Sequence, residues 1–533
     1  MTITRSLGTA FAVLVALVVG MSAFGLLRRQ AAAQNPSTGD AAQGKALYEK
    51  KCAVCHGAEG MGDGKAEFVL FPKPRNFTKG IFKIRATTTL PTDTDLFRTI
   101  TRGISGTAMP TWGTLTETER WNLVAFIKSL SPRFTDEQPG PPVAIPKPPP
   151  SSPTLLALGK HYYTEAGCFD CHGTSGRGDG PAAETLKDEW GYPIVPYDFT
   201  IHGRMKAGST LQDLYRTLTA GIGGTPMPSY ADSLDEQQRW GLSYYVLSLA
   251  NEPAPGPAAQ EVTTIRSGFV AGTLPTDPSA ALWQQAKPIA IRTRTLWLRA
   301  KETESIRVAS FHNGKQIGVL LEWDDPIMNH ETLRHQDFRD AAAVQFPNQE
   351  TEPTHVMGEH TGPVNIWHWK ADWEADLAHY RDVQDRYPGM GNDFYPFLVS
   401  SPVLLGAPEG DLKEVQMRTS AHNPTYLTGW GAGNLFSLPA RLTPVENLNA
   451  TGLGTITSQP AEYQTVKGHG IWADGKWRVV MVRALRTDND RDTQLTAGST
   501  VPVAFAIWDG AQGDRDGRKA VTVWQRLVLQ PKP

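Results

Sequence analysis

The 533-residue sequence predicts a multidomain chain: two small all-α units followed by a mainly-β sandwich. Three observations carry this. A segment opening on a CxxCH cluster occurs twice in the first half. Proline-rich stretches separate the two copies from each other and from the remainder. The second half alternates apolar and polar residues around Asn-Gly and Asp-Gly pairs, the pattern of β-hairpins. The boundaries read as 1–34 for a signal peptide or N-terminal anchor, 35–131 for the first unit and 132–153 for a linker. They continue as 154–250 for the second unit, 251–280 for another linker and 281–533 for the sandwich. A net charge of −2 offers no electrostatic case for a nucleic-acid partner.

At the N-terminus, Arg5 precedes an uncharged, mainly apolar run from Ala10 to Leu27, and the small residues of AAAQ follow near Ala33. The run is long for a signal and short for a membrane span. Arg28 and Arg29 would sit awkwardly outside an uncleaved anchor. A cleaved signal is therefore expected, with a retained membrane anchor as the alternative. Either places the chain in the periplasm or another extracytoplasmic space. No second hydrophobic run approaches spanning length.

The two units hold all four cysteines, in KCAVCHGAEGMGDG (Lys51–Gly64) and AGCFDCHGTSGRGDG (Ala166–Gly180). So few cysteines in so long a chain make a weak disulfide framework. In four-cysteine zinc sites the pairs usually stand roughly 15–20 residues apart. Here Cys55 and Cys168 are far more distant, and each pair has its own histidine. CxxCH is the signature of covalent c-type haem. Cys52, Cys55, Cys168 and Cys171 would form the thioethers, and His56 and His172 would be the proximal iron ligands. A Met/His haem also needs a distal sulfur. GTAMPTW offers Met109, 57 residues after Cys52, and GTPMPSY offers Met227, 59 after Cys168. The following proline holds each methionine out of a helix. Met61 and Met205 compete, but neither has a counterpart in the other unit.

The repeat extends beyond the clusters. TDLFRTITRGISGTAMP parallels QDLYRTLTAGIGGTPMP, and TETERWNLVAFIKSL parallels DEQQRWGLSYYVLSL. The latter pair reads as amphipathic helices, with Trp121, Val124, Ala125 and Ile127 in one and Trp240, Tyr244 and Leu247 in the other. Glu117, Glu119, Asp235 and Glu236 suit helix N-termini. DAAQGKALYEKKC and TLLALGKHYYTEAGC read as helices entering the clusters. Residues 41–130 and 154–249 thus resemble class I cytochrome c. The linker after the first unit, Ser131–Pro153, has nine prolines and reads as a semi-rigid spacer.

In the second half, KPIAIRTRTLWLRA alternates as a strand does. ESIRVASFHNGKQIGVLLEWDD and GIWADGKWRVVMVRAL read as hairpins, and VPVAFAIWDG and AVTVWQRLVLQ as further strands. A carbohydrate-binding sandwich is one reading, with the tryptophans of NIWHWKADW gripping sugar. The ordered segments AAAVQFP, THVMGEHTGPVNIWHWKAD, GKWRVVMVRAL and VPVAFAIWDGAQGDRDGRKAVTVWQRLVL point elsewhere. They resemble the haem b-binding gamma subunit of ethylbenzene dehydrogenase and related molybdoenzymes of the type II DMSO reductase family, nitrite oxidoreductase included. The resemblance covers about 282–530. It implies one non-covalent haem b held between Met357 and Lys519. An amine ligates iron only without its proton, so Lys519 must be desolvated. His355, His360 and His368 surround the methionine segment and read as surface or hydrogen-bonded residues, His360 being the foremost rival ligand. The segment 372–459, an addition to short members of that family, reads as loops covering the haem or contacting a partner.

No nucleophile–base set, phosphate loop or open metal motif stands out, so the chain is expected to be non-catalytic. Met/His and Met/Lys iron is coordinatively saturated and suits one-electron transfer. The resemblance implies partners: a molybdopterin catalytic subunit, an iron–sulfur subunit, and soluble or membrane cytochrome carriers. The alternatives are a free-standing triheme carrier and a dihaem cytochrome fused to a carbohydrate-type sandwich.

Overall fold

The structure is a computed structural model describing residues 39–201, 205–250, 262–299, 302–349, 352–379, 381, 383–390, 435 and 441–532. The N-terminal signal or anchor segment lies outside the described residues. No helix among the described residues is long and apolar enough to cross a membrane.

The first unit is built on α1 (Ala41–Lys51), α2 (Asp93–Arg102) and α3 (Glu117–Ser129). The second repeats them as α4 (Pro153–Glu165), α5 (Leu211–Ala220) and α6 (Glu236–Ser248). The starts are written into the sequence. Asp40 caps α1, and Ser152 caps α4 with Pro153 in its first turn. Capping boxes open the other four: Thr92 with Asp95, Thr116 with Glu119, Thr210 with Asp213 and Asp235 with Gln238. α1 packs on α3 and α4 on α6, each over a glycine. A Cβ on Gly44 would stand 2.0 Å from the Asn122 carbonyl oxygen, and one on Gly159 would stand 2.0 Å from that of Gly241. Both crossings thus bring backbone against backbone. The buried face of α3 is Leu123, Val124, Phe126 and Ile127, while Trp121 lies to one side, stacked on Phe97 with ring centroids 4.2 Å apart.

The linker is pinned to both units. Val143 N–H donates to the Ala86 carbonyl (2.6 Å), and Tyr244 Oη to that of Pro149 (2.6 Å).

The C-terminal region is a two-layered sandwich of fourteen strands among the described residues. One layer runs β10 (Lys467–Ala473), β11 (Lys476–Ala484), β5 (Gln316–Asp324), β4 (Ser305–His312), with β2 (Ile289–Arg292) also on β4. The other runs β14 (Gln525–Leu529), β12 (Thr500–Trp508), β6 (Ala341–Pro347), β7 (Val364–Lys370), β8 (Val445–Ala450), β9 (Thr457–Ser458). The short β13 (Ala520–Val521) pairs with β12 and with β3 (Arg294–Thr295). β1 (Thr264–Phe269) joins the layers, parallel to β14 through Ser267 and then to β4 from Gly268. Val319, Leu321, Trp323 and Met481 of the first layer meet Val344, Phe346, Trp367 and Phe505 of the second in one apolar core. Asp474 and Gly475 turn the β10–β11 hairpin, both at positive φ (51° and 70°), as a tight primed turn requires.

Three expectations need correction. Thr264–Phe269, placed in the linker by the Pro/Ala richness just upstream, is the strand that ties the layers together. Within 372–459, Val445–Ala450 is an interior strand rather than a loop; residues 391–434 lie outside the described set. The tryptophans of NIWHWKADW form no exposed sugar platform: Trp367, Trp369 and Trp373 are 0%, 0% and 4% exposed.

β7 and β8 also share a buried ion pair, Lys370 with Glu446, which Ser458 Oγ joins at 2.6 Å. The Lys370 ammonium lies 3.8 Å from the Trp373 ring centroid. Burial pushes the Lys370 amine down to about 8 against the pull of Glu446.

Two outcomes are expected. Gly44→Val should wedge α1 from α3 and destabilise the first unit by about 1–3 kcal/mol in guanidinium unfolding, the usual cost of overpacking. Lys370→Met should cost about 3–5 kcal/mol by stranding the Glu446 charge, and adding Glu446→Gln should recover most of it, measured by the same unfolding.

Candidate haem-binding sites

Each cytochrome-like unit encloses a narrow apolar slot, of about 140 Å³ in the first and about 180 Å³ in the second. Cys52, Cys55, His56 and Met109 line the first; Cys168, Cys171, His172 and Met227 line the second. The cysteines therefore face two separate cavities, which removes a shared four-cysteine zinc site.

The two slots repeat one construction. His56 Nδ1 donates to the Arg75 carbonyl at 3.0 Å, and His172 Nδ1 to that of Tyr197 at 3.0 Å, which assigns the proton to Nδ1 and leaves Nε2 with its lone pair. Phe77 stacks on His56 at 4.4 Å and Phe199 on His172 at 4.3 Å. Tyr48 and Tyr163 each donate to the carbonyl of the glycine after the histidine, Gly57 and Gly173. Burial, the larger effect, pushes His56 down to about 4 and lowers His172 as well, so both rings are neutral near pH 7. A hydrogen bond from the N–H of Ile104 holds the Met109 carbonyl, and one from Ile222 holds that of Met227, both at 3.1 Å. A neutral imidazole with one nitrogen anchored, a thioether and two thiols on an apolar slot fit a c-type haem. Of the rival methionines, Met61 is 54% exposed, whereas Met205 is buried and shares the second slot with Met227.

The third cavity, about 700 Å³, lies on the outer face of the second sandwich layer. Strand alternation builds it. Val344, Phe346 and Trp367 point into the core, so their neighbours Ala343, Ile366 and His368 point out to the cavity. Ala341, Ala504 and Ala506 keep its floor low. Met357 and Lys519, 9% and 7% exposed, both line it. Met357 adopts φ 64°, unusual for a residue with a side chain, and its carbonyl accepts from the Gly452 N–H at 2.9 Å. Burial pushes the Lys519 amine down to about 8, with Asp516 opposing; the Lys519 Nζ stands 4.8 Å from the Trp508 ring centroid. Arg334, Arg339 and Arg515 also line the cavity, the first two paired with Asp337 at 2.6 Å and Asp372 at 2.7 Å. A flat apolar floor, a thioether, an amine that readily sheds its proton and flanking guanidinium groups fit a haem b.

The histidines divide. His360 is exposed and does not line the cavity. His355 and His368 do line it, and His368 Nε2 is buried with no hydrogen-bond partner, contrary to the expectation of a surface or bonded residue. Burial holds the His368 ring neutral, well below its ordinary range. His355 and Val356 line the first unit's slot as well. The alternating alanines of AAAVQFP and VPVAFAIW were the available sequence signal for the cavity floor; nothing local signalled the sharing of a wall between two domains.

Comparison with known proteins agrees with this division. The family model "Ethylbenzene dehydrogenase" matches residues 280–520, "Cytochrome C oxidase, cbb3-type, subunit III" matches 39–127, and "Cytochrome c" matches 156–250. A protein of Haloferax mediterranei described as a respiratory nitrate reductase haem subunit is 28% identical over 231 residues, 43% of this chain and 58% of that protein. The chain thus spans little more than half the length of that relative. The chlorate reductase subunit gamma of Ideonella dechloratans is 25% identical over 281 residues, 51% of this chain and 87% of that one. Cytochrome c-554(547) of Halothiobacillus neapolitanus is 34% identical over 94 residues, 17% of this chain and 98% of that protein. The chain belongs to the cytochrome c family through its two N-terminal units, and its residues 280–520 match the ethylbenzene dehydrogenase family model.

Proposed function

We propose that the chain is the non-catalytic electron-transfer subunit of an extracytoplasmic molybdopterin oxidoreductase, of the nitrite oxidoreductase, nitrate reductase or related type. In this reading it carries two covalent haems c and one haem b. It relays electrons between an iron–sulfur subunit and cytochrome carriers. The observation that supports this most is that three separate cavities each gather a candidate pair of axial ligands: His56 with Met109, His172 with Met227, and Met357 with Lys519.

When bound, each haem would supply a one-electron iron centre. The protein's part is to bind, orient and exclude water. Cys52 and Cys55, like Cys168 and Cys171, would hold a haem covalently through thioethers, so that it could not be lost to solvent. The Arg75 and Tyr197 carbonyls hold the two imidazoles in one tautomer and one orientation. Lys519 and Met357 hold the third group without covalent attachment. Its apolar surroundings favour the neutral amine needed for ligation. His368 supports a second ligand reading, since the residue lines the same cavity and its buried Nε2 has no hydrogen-bond partner.

Purification of the native protein from its source should bring down a molybdenum-containing and an iron–sulfur subunit, with two haems c to one haem b by pyridine haemochrome. A pure single chain with the same three haems would instead establish the free-standing carrier, and absence of haem b would revive the carbohydrate-type reading.

Met357→Ala and Lys519→Ala should each lose the extractable haem and keep both covalent ones, while His368→Ala keeps all three. The reverse pattern would make His368 the ligand. Haemin affinity of the haem b-free protein should fall about tenfold per pH unit below pH 8, because protons then compete for the Lys519 amine. A histidine ligand held neutral by burial would give a flat profile from pH 8 down to pH 6.

A further inference from the structure

The chain order is first cytochrome unit, second cytochrome unit, sandwich, so the second unit is the sandwich's neighbour in sequence. The spatial order differs. We infer that the first unit's haem site lies between the other two, and that the second cytochrome unit exchanges electrons with the sandwich only through it. This rests on reading the three cavities as haem sites.

On one side the first unit's slot is closed by the sandwich itself. Leu296, Thr354, His355 and Val356 form part of its wall. Val356 and His355 line both the slot and the sandwich cavity. Val356 is bonded directly to Met357. Lys519, the other candidate ligand, accepts at its carbonyl from the Leu296 N–H at 3.0 Å. Each candidate haem b ligand is therefore one covalent link or one hydrogen bond from the wall of the first slot. Cys55, a thioether position of that slot, packs against the same apolar cluster as Val356 and Val521. His355 stands edge-on to Trp112 with ring centroids 6.4 Å apart, and Trp112 lines the first slot as well.

On the other side the first slot meets the second unit. The Lys83 carbonyl accepts from the Gly223 N–H at 3.2 Å; Lys83 lines the first slot, and Ile222 and Thr225 beside Gly223 line the second. Arg85 reaches the Ala220 carbonyl at 3.0 Å. The Arg75 guanidinium lies 4.2 Å from the Trp190 ring centroid, and the Arg75 carbonyl holds His56. Among the described residues, the second slot takes its whole lining from the second unit and nothing from the sandwich. Each transfer moves one electron, oxidising the donor centre and reducing its neighbour, with no bond made or broken.

The test uses the full chain, with haem content measured first. If the wild-type chain lacks either haem b or both haems c, the functional reading fails before the order is tested. With three haems present, haem b is reduced by a radiolytic pulse and each haem is followed at its own absorption band. Removing the second haem c (Cys168→Ala with Cys171→Ala) should keep the fast haem b to haem c phase. Removing the first (Cys52→Ala with Cys55→Ala) should abolish it, although the second haem c is still bound. Persistence of the fast phase without the first haem c, or its loss without the second, overturns the order. Should the variant lacking the first haem c fail to fold, pulsed electron paramagnetic resonance decides between the same outcomes. In the oxidised chain, magnetic coupling of haem b to a neighbour should survive removal of the second haem c. Disappearance of that coupling overturns the order.

Discussion

The arrangement of the molecule depends on the apolar seam between the first cytochrome unit and the sandwich. Ala66 and Leu70 of the unit pack against Leu296, Val356 and Val521 of the sandwich, all 7% exposed or less. Burying a leucine is worth about 1.5–3 kcal/mol, so Leu70 and Leu296 alone oppose separation of the two bodies. Backbone pairing sets the register of the seam. Phe71 N–H donates to the Leu296 carbonyl at 3.0 Å and the Phe71 carbonyl accepts from Leu298 at 2.8 Å, a parallel bridge across Trp297. Hydrogen bonds add direction to contacts that apolar packing leaves free to slide. Lys51 Nζ donates to the Glu352 carbonyl at 2.7 Å, and the Arg294 guanidinium donates to that of Ile104 at 3.0 Å.

This seam changes the role of the proline-rich linker. From composition it reads as a semi-rigid spacer, a tether that raises the local concentration of one unit at another. In the structure the linker is hydrogen-bonded to Ala86 in one unit and to Tyr244 in the other. Lys83 O and Gly223 N–H bond the units directly as well. A docked unit gains a fixed separation between its cavity and its neighbour's rather than a raised collision frequency. The positive charges between the two slots fit that purpose. Lys83 and Arg75 line the first and Lys206 the second; burial first, and then their mutual repulsion, lowers Lys83 to about 7. Carboxylates of a bound porphyrin would relieve that repulsion.

The local features were the readable ones. CxxCH, the recurring Met-Pro and the acidic first turns each depend on a few neighbouring positions, so one sequence pointed to Cys52 to His56, Met109 and four of the six helices, while the capping boxes at Thr92 and Thr210 and the helices they open went unread. The hairpins at Asn313-Gly314 and Asp474-Gly475 were readable for the same reason. Composition failed where a boundary was at stake. The Pro/Ala run masked Ile265, whose side chain is 1% exposed in the strand that joins both layers. The ligand candidates of the sandwich were not readable from the residues at all. Met357 looks like a core residue and Lys519 like a solvated charge, and only family resemblance singled them out. His368 was undervalued because nothing in HWK reveals which sheet face it takes; that depends on the register of β7 between β6 and β8.

The same register explains how one sheet serves two purposes. Every second residue of β6, β7 and β12 builds the sandwich core, and those between build the outer cavity. The inner set is large, with Phe346, Trp367 and Phe505, and the outer set on β6 and β12 is mostly alanine. A large side chain at Ala343 or Ala506 would fill the cavity while leaving the core untouched. A large-to-small change at Phe346 would do the opposite. The two sets are chemically independent although they alternate along one strand, so the cavity could be shaped for a flat ligand without disturbing the core that supports it. What binds the cavity to the rest is its edge, where Val356 and Val521 also belong to the seam. The residues that dock the first cytochrome unit therefore also close the sandwich cavity. Loss of docking would open both cavities to water at once, which ties their integrity to the packing of five apolar side chains.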